Sequence, residues 1–317
     1  SQSWASSDPV GAARYFEDNP REFGMMGGRG GGAAGQIASE WARQNPEAAL
    51  AWAQGLDGRD GSSAIGGIFR QVAGEDPARA AQMALGLDDD ERAGAYRSIA
   101  REWGQQDWAA AESWIAGLPS GERDAAMAQA IRGLAEQDPG LAAQKVGALP
   151  EGEARSEAIS TIAENWSRES PAMAAEWLVE QEGEEISRSM RDVMSNWVGK
   201  DSGAALEFVN SQPQGEMRDS AASSYVFSNR NGDIQQSLEV AETISDDGTR
   251  SRAVATAAIR WAQEDQDAAV EYVQNSGGLS DDAKERIIQR ASGEGGGWDR
   301  FGGGRGGRGG RGGRGGR

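Results

Sequence analysis

"SGERDAAMAQAIRGLAEQDPGLAAQKVGALP", residues 120–150, contains two helix signals separated by a capped turn. Apolar residues recur at helical spacing in its first half, at Met127, Ala130, Ile131, Leu134 and Ala135. This pattern predicts a first helix from 122 to about 137 with one apolar face. Asp138 can cap a second helix with its carboxylate, and Pro139 suits the first helical position, where its missing N–H costs nothing. The stretch therefore predicts a helical hairpin.

The same unit recurs along the chain. The position of Pro139 is repeated every 31 or 32 residues after a first step of 37, at Pro9, Pro46, Pro77, Trp108, Pro139, Pro171, Ser202, Ile234 and Gln266. A fixed period in this range is typical of stacked helical hairpins. We predict an all-α, right-handed α-solenoid of eight to nine hairpins over residues 1–291. The glycine-rich residues 23–36 account for the longer first step and are predicted to form a loop between units.

Large aromatic residues occupy two fixed positions in most units. The first-helix position holds Trp4, Trp41, Trp103, Trp166, Trp197 and Trp261, and the second-helix position holds Tyr15, Trp52, Trp114, Trp177, Phe208 and Tyr272. We expect these rings to fill the space beside the Ala-Ala pairs as core residues. The alternative is a surface role in which the rings stack on sugars or bases.

The shared Trp, Asp-Pro and Ala-Ala positions give the units a resemblance to known helical repeats. They resemble tetratricopeptide and HEAT-type α-solenoids, although the tetratricopeptide period is about 34 and its proline lies elsewhere. They are also similar to uncharacterised Trp/Asp-Pro/Ala-Ala repeats of bacterial proteins. The resemblance implies a fold and no activity.

Residue usage bears on catalysis. The chain has no cysteine, which excludes disulfides, thiolate metal sites and cysteine nucleophiles. It also has no histidine, the commonest general base and metal ligand. We therefore predict a protein that is not an enzyme and has no cofactor or metal site. A hydrolase that uses only carboxylates stays open, because paired acids need no sequence signature.

Residues 292–317 form a tail of low complexity with a charge opposite to that of the chain. The net charge of the chain is -18, yet its end carries six arginines, at Arg300, Arg305, Arg308, Arg311, Arg314 and Arg317. Such a tail attracts anionic partners. One candidate partner is nucleic acid, bound through phosphates and base stacking. The other is the acidic surface of a second copy, such as residues 88–91 or 180–185, because guanidinium groups bind carboxylates at two points.

The two ends of the array are predicted to be complementary. Only "SQSW", which contains Trp4, remains of a first helix before Asp8-Pro9 opens the first second-type helix, which ends near Tyr15 and Phe16. At the other end, "DDAKERIIQRAS" is a first-type helix without a partner, and its large apolar residues are Ile287 and Ile288. Docking of this helix on the first half-repeat of the next copy would be a heterologous contact, which propagates as a filament. The alternative is a helix that only caps the array.

These observations predict a non-enzymatic structural or scaffold protein that self-associates head to tail. The missing initiator methionine leads us to expect an extracellular or cell-surface filament. The alternative is an adaptor that binds RNA or single-stranded DNA through its tail. No apolar run approaches the roughly 20 residues of a membrane-spanning helix, so no membrane partner is predicted.

Overall fold

The chain is all-α in the computed structural model, as the sequence predicts. The structure describes residues 2–19, 30–181, 186–230 and 232–292, and these ranges contain nineteen α-helices, one short 3₁₀ turn and no strand. The chain divides into two compact units, residues 1–197 and 198–317. Within the described ranges no helix combines the length and apolar character that crossing a membrane requires.

The first unit contains thirteen helices. They are α1 Gln2–Ser7, α2 Pro9–Asp18, α3 Gly30–Gln44, α4 Pro46–Gln54, α5 Gly58–Glu75, α6 Pro77–Ala84, α7 Asp89–Gln106, α8 Trp108–Ala116, α9 Ser120–Gln137, α10 Pro139–Lys145, which a 3₁₀ turn at Val146–Ala148 extends, α11 Glu153–Glu169, α12 Pro171–Val179, and α13 Ile186–Lys200, in which the division falls. The second unit continues with α14 Ser202–Ser211, α15 Glu216–Ser228, α16 Ile234–Glu242, α17 Asp247–Trp261, α18 Gln266–Asn275 and α19 Asp281–Ala291.

All nine positions predicted to start a second helix are the first residue of a helix, from Pro9 to Gln266. The local chemistry explains this agreement. The carboxylate of Asp138 accepts a hydrogen bond from the backbone N–H of Leu141 at 2.8 Å, which satisfies an amide that has no partner inside α10. Asp8, Asn45 and most other residues at this position cap their helices in the same way.

Long and short helices alternate and pack in sequence. In the first unit α3 packs on α5, α5 on α7, α7 on α9 and α9 on α11, so the long helices form a layer. The short helices are α4, α6, α8 and α10. Each of them packs against the two long helices that flank it. This order is compatible with a helical-repeat fold.

Glycines set the closeness of the long helices. A Cβ on Gly133 of α9 would overlap the backbone carbonyl of Arg101 in α7, and one on Gly67 of α5 would overlap the carbonyl of Gly35 in α3. Only glycine allows the backbones to approach so closely.

The glycine-rich stretch is partly helical, although the sequence predicts a loop there. The predicted loop 23–36 is wrong for residues 30–36, because α3 begins at Gly30. Burial of Ala34, Ile37 and Ala38 and the close approach to α5 stabilise a helix despite its glycines. Residues 23–29 lie outside the described residues.

The first hairpin is also more complete than predicted. Residues 2–7 form α1, which packs on both α2 and α3. The helix that begins at Pro9 is therefore covered on one side by α1 rather than left without a partner.

The second unit is built around α15, α16 and α17, which contact one another. Its core includes a polar network. The hydroxyl of Tyr225 donates to Gln236 at 2.8 Å, and the buried amide of Asn229 donates to Tyr225 and to Ser237. Asn229 stands where most other units have tryptophan, so this unit joins its helices by hydrogen bonds in place of a ring.

Candidate interaction surfaces

The first hairpin presents apolar side chains to solvent. Trp4, Val10 and Tyr15 are 42%, 38% and 38% exposed, and they are among the most exposed large apolar residues of the described chain. The rings of Trp4 and Tyr15 meet edge to face with centroids 5.4 Å apart. Ring contact keeps both side chains in place without burying them, which favours contact with another molecule. We name Trp4, Val10 and Tyr15 the N-terminal patch.

A cavity of about 400 Å³ adjoins the N-terminal patch. Trp4, Ala12 and Ile37 belong to the apolar part of its lining, and Glu40 and Arg70 are among its polar residues. A cavity of this size and polarity accommodates apolar side chains of a partner.

Phe16, which the sequence places with Trp4 and Tyr15 at the interaction site, belongs to the core. It is 5% exposed, and its ring lies 6.2 Å from that of Trp52. The structure contradicts the prediction that Phe16 contacts a partner, because Phe16 is buried in the core with its ring against Trp52 of α4.

The two isoleucines of the predicted connector helix differ in burial. Ile287 is 4% exposed, because α19 packs on α17 and α18, whereas Ile288 is half-buried. Ile287 is therefore a core residue of its own unit and is not free to contact a second copy. Ile288 is the isoleucine that keeps an accessible surface.

The aromatic positions predicted as core form ring pairs. Each described pair joins the two helices of one hairpin, with centroids 5.4–6.1 Å apart: Trp4–Tyr15, Trp41–Trp52, Trp103–Trp114, Trp166–Trp177 and Trp261–Tyr272. In the other four pairs the rings are half-buried, whereas Trp197 and Phe208, at the same two repeat positions, are buried. Packing is thus their main role, as expected, although their edges reach the surface.

The surroundings of Tyr272 disfavour ionisation of its phenol. Burial, the nearby carboxylates of Glu242 and Glu239 and a hydrogen bond with Glu242 together raise the pKa of its phenol to about 12.

Two open grooves run across the long helices of the first unit. The first, of about 710 Å³, spans α5, α7 and α9. It carries three arginines, Arg70, Arg97 and Arg101, among four carboxylates. Burial raises the pKa of Glu102 in this groove. The positive charge of Arg70 opposes this shift, and the negative charge of Glu136 adds to it.

The second groove spans α9, α11 and α13 and encloses about 980 Å³. We name it the serine groove, because Ser156, Ser160 and Ser189 line it. The hydroxyl oxygens of Ser160 and Ser189 are 3.0 Å apart and join α11 to α13. Four carboxylates and two arginines complete its charged lining: Glu153, Glu157, Glu164 and Asp192, with Arg132 and Arg188.

Sequence reasoning missed both grooves. Their lining residues come from helices about 31 residues apart, and only the packing of the long helices brings them together. The one available signal is the 31-residue spacing of Arg70, Arg101 and Arg132 on successive long helices. Arg101 forms an ion pair with Glu136, and Arg132 forms one with Glu157, in each case on the next long helix.

The acidic stretches expected to receive the tail are largely engaged or not described. The carboxylate of Asp88 caps α7, and Asp89 forms an ion pair with Arg92. Residues 182–185 and the six tail arginines lie outside the described residues. Among those described, no group of three or more acidic side chains could hold a metal ion.

Comparison with known proteins adds no relative. No protein-family model matches the chain, and no curated protein or solved structure is significantly similar to it.

Proposed function

We propose that this protein is a non-enzymatic structural protein whose copies associate head to tail. The observation that carries the proposal is the N-terminal patch, where three large apolar side chains of one hairpin stay exposed and one of them, Trp4, lines a partly apolar cavity. Exposed apolar groups clustered at one place mark protein-binding surfaces.

The last helix offers a second accessible apolar side chain. On α19 Ile288 is half-buried, and its neighbours one turn earlier are Lys284 and Glu285. The exposed Arg286 and Arg290 lie two residues from Ile288 and therefore on the other side of the helix. An accessible apolar side chain on each of two surfaces can form the apolar centre of an interface.

Successive packing of long helices supports the α-solenoid arrangement that the sequence predicts. In a solenoid the first and last hairpins form the two ends. A contact between unlike ends uses different surfaces on the two copies, so it extends into a filament unless the rotation closes a ring.

Sedimentation velocity and electron microscopy of the nuclease-treated full-length chain test the proposal. We expect polymers, and we expect Val10→Asp or Ile288→Asp to dissociate them, because each buries a charge at the contact. Leu85→Asp is the matched control, since Leu85 is 61% exposed and lies on neither end. A native chain that stays monomeric, or equal loss of polymers in the control, contradicts the proposal.

The alternative of an RNA- or single-stranded-DNA-associated adaptor rests on the arginines of the tail. These arginines lie outside the described residues, so the alternative keeps the sequence as its sole support.

A further inference from the structure

The serine groove has more carboxylates than its ion pairs use. Glu157 forms an ion pair with Arg132, and Glu164 forms one with Arg168. Glu153 and Asp192 are exposed and take part in no ion pair within the described chain. The groove can therefore accept further positive charge on both α11 and α13.

Small side chains at the base of the groove admit a peptide backbone. Ser156 and Ser160 are half-buried and Ser189 is buried, so nothing larger than a hydroxymethyl group stands between the charged rims at these points. Their hydroxyls can donate to and accept from peptide groups. A chain rich in glycine fits such a base best, because it brings no side chains that must be accommodated.

We infer that the serine groove binds the arginine-glycine tail, residues 302–317, of a second copy. This inference rests on the proposed self-association and identifies where the tail engages its neighbour. Arginine suits the groove because its planar guanidinium group can form two parallel hydrogen bonds with a carboxylate such as Asp192 or Glu153. The glycines between arginines suit the serine-lined base.

The spacing of the tail matches the spacing of the helices. Arginine recurs every third residue from Arg305 to Arg317. A polyproline II-type chain rises about 3.1 Å per residue, so successive arginines are about 9 Å apart. Packed helices lie about 8–10 Å apart. A tail that crosses the layer can thus place one arginine at α11 and the next at α13.

The first groove is the poorer receptor. Its three arginines, Arg70, Arg97 and Arg101, would repel a cationic peptide, and its carboxylates exceed them by only one. The serine groove has twice as many carboxylates as arginines.

Fluorescence anisotropy with a labelled peptide of residues 302–317 tests the inference. The protein is the full chain in which Arg305, Arg308, Arg311, Arg314 and Arg317 are replaced by glutamine, so that its own tail does not compete. We expect binding that weakens with salt and that becomes about tenfold weaker in the double variant Glu153→Gln, Asp192→Asn. A peptide with arginine at every fourth residue should also bind more weakly, because the spacing no longer fits.

The matched control is Asp267→Asn with Glu271→Gln, an exposed pair on α18 that removes the same charge. Equal weakening by both pairs, or none by the groove pair, overturns the inference even if native chains polymerise. If native chains stay monomeric while the peptide still binds the groove, the assignment to a second copy and the proposed function are both overturned. RNA retained through these same arginines, together with unchanged peptide binding by the groove variant, assigns the tail to nucleic acid.

Discussion

Ile287 and Ile288 are neighbours in α19 but lie in different environments, because Ile287 is 4% exposed and Ile288 is half-buried. The helix has one face against α17 and α18, and Ile287 lies on that face. The two residues therefore report separately on folding and on association.

Ile287→Ala should lower the free energy of unfolding by about 2–4 kcal/mol, because it leaves a cavity under α19. Ile288→Ala should cost less than about 1 kcal/mol, since part of its side chain stays in water in the folded state. Urea unfolding followed by circular dichroism checks both values. An equal loss in the two variants would mean that Ile288 is also a core residue.

Gly133→Ala should destabilise the first unit by about 1–3 kcal/mol, because the new methyl group overlaps the carbonyl of Arg101 and forces α7 and α9 apart. Gly121→Ala in the first turn of α9 is the control. No atom lies within 4 Å of its added Cβ, so we expect no loss and a gain of up to about 0.5 kcal/mol from helix propensity. Thermal unfolding of both variants measures the difference, and loss in Gly121→Ala alone would contradict the packing.

Asp138→Ala should cost about 1 kcal/mol, because the backbone N–H of Leu141 loses its acceptor. Ser170 occupies the equivalent position before α12 and makes no side-chain cap hydrogen bond. Ser170→Ala should therefore change the stability by much less. Chemical denaturation of the two variants compares the two caps directly, and a larger loss at Ser170 would refute this account of the capping.

These caps show which part of the fold is readable from sequence. Capping depends on residues within one turn, so the helix starts at Pro139 and its equivalents are predicted correctly. The glycine-rich start of α3 was not predicted, because Gly35 is favourable there only when α5 lies against it. Phe16 and Ile287 were misassigned for the same reason, since their burial depends on neighbouring helices.

The candidate sites follow the same rule. The repeat fixes Trp4 and Tyr15 as the aromatic pair of the first hairpin, so the sequence predicts their contact with each other, and their role in association stays a prediction. The serine groove could not be identified, because its charges come from three helices and become one surface only after packing.

The pKa of Tyr272, about 12 against 10.0 for a free phenol, predicts a pH effect. A raised pKa means that the folded state resists ionisation of this group, so its contribution to stability is complete below pH 10 and is lost as the pH rises toward 12. Glu242→Gln should lower the pKa, because it removes the charge while keeping a hydrogen-bonding group. Ultraviolet titration of tyrosinate measures it, with Tyr272→Phe to assign the signal. An unchanged pKa in Glu242→Gln, or the same decrease in Glu207→Gln on α14, would exclude this cause.

The ring pairs give individual hairpins their own optical signal. Trp41–Trp52, Trp103–Trp114 and Trp166–Trp177 hold two indoles about 6 Å apart, close enough for their electronic transitions to couple. Coupled indoles produce a paired band in circular dichroism that vanishes when the two helices separate. Replacing one tryptophan at a time by phenylalanine would remove one such band, so the melting of single hairpins in the first unit can be read without attaching a dye.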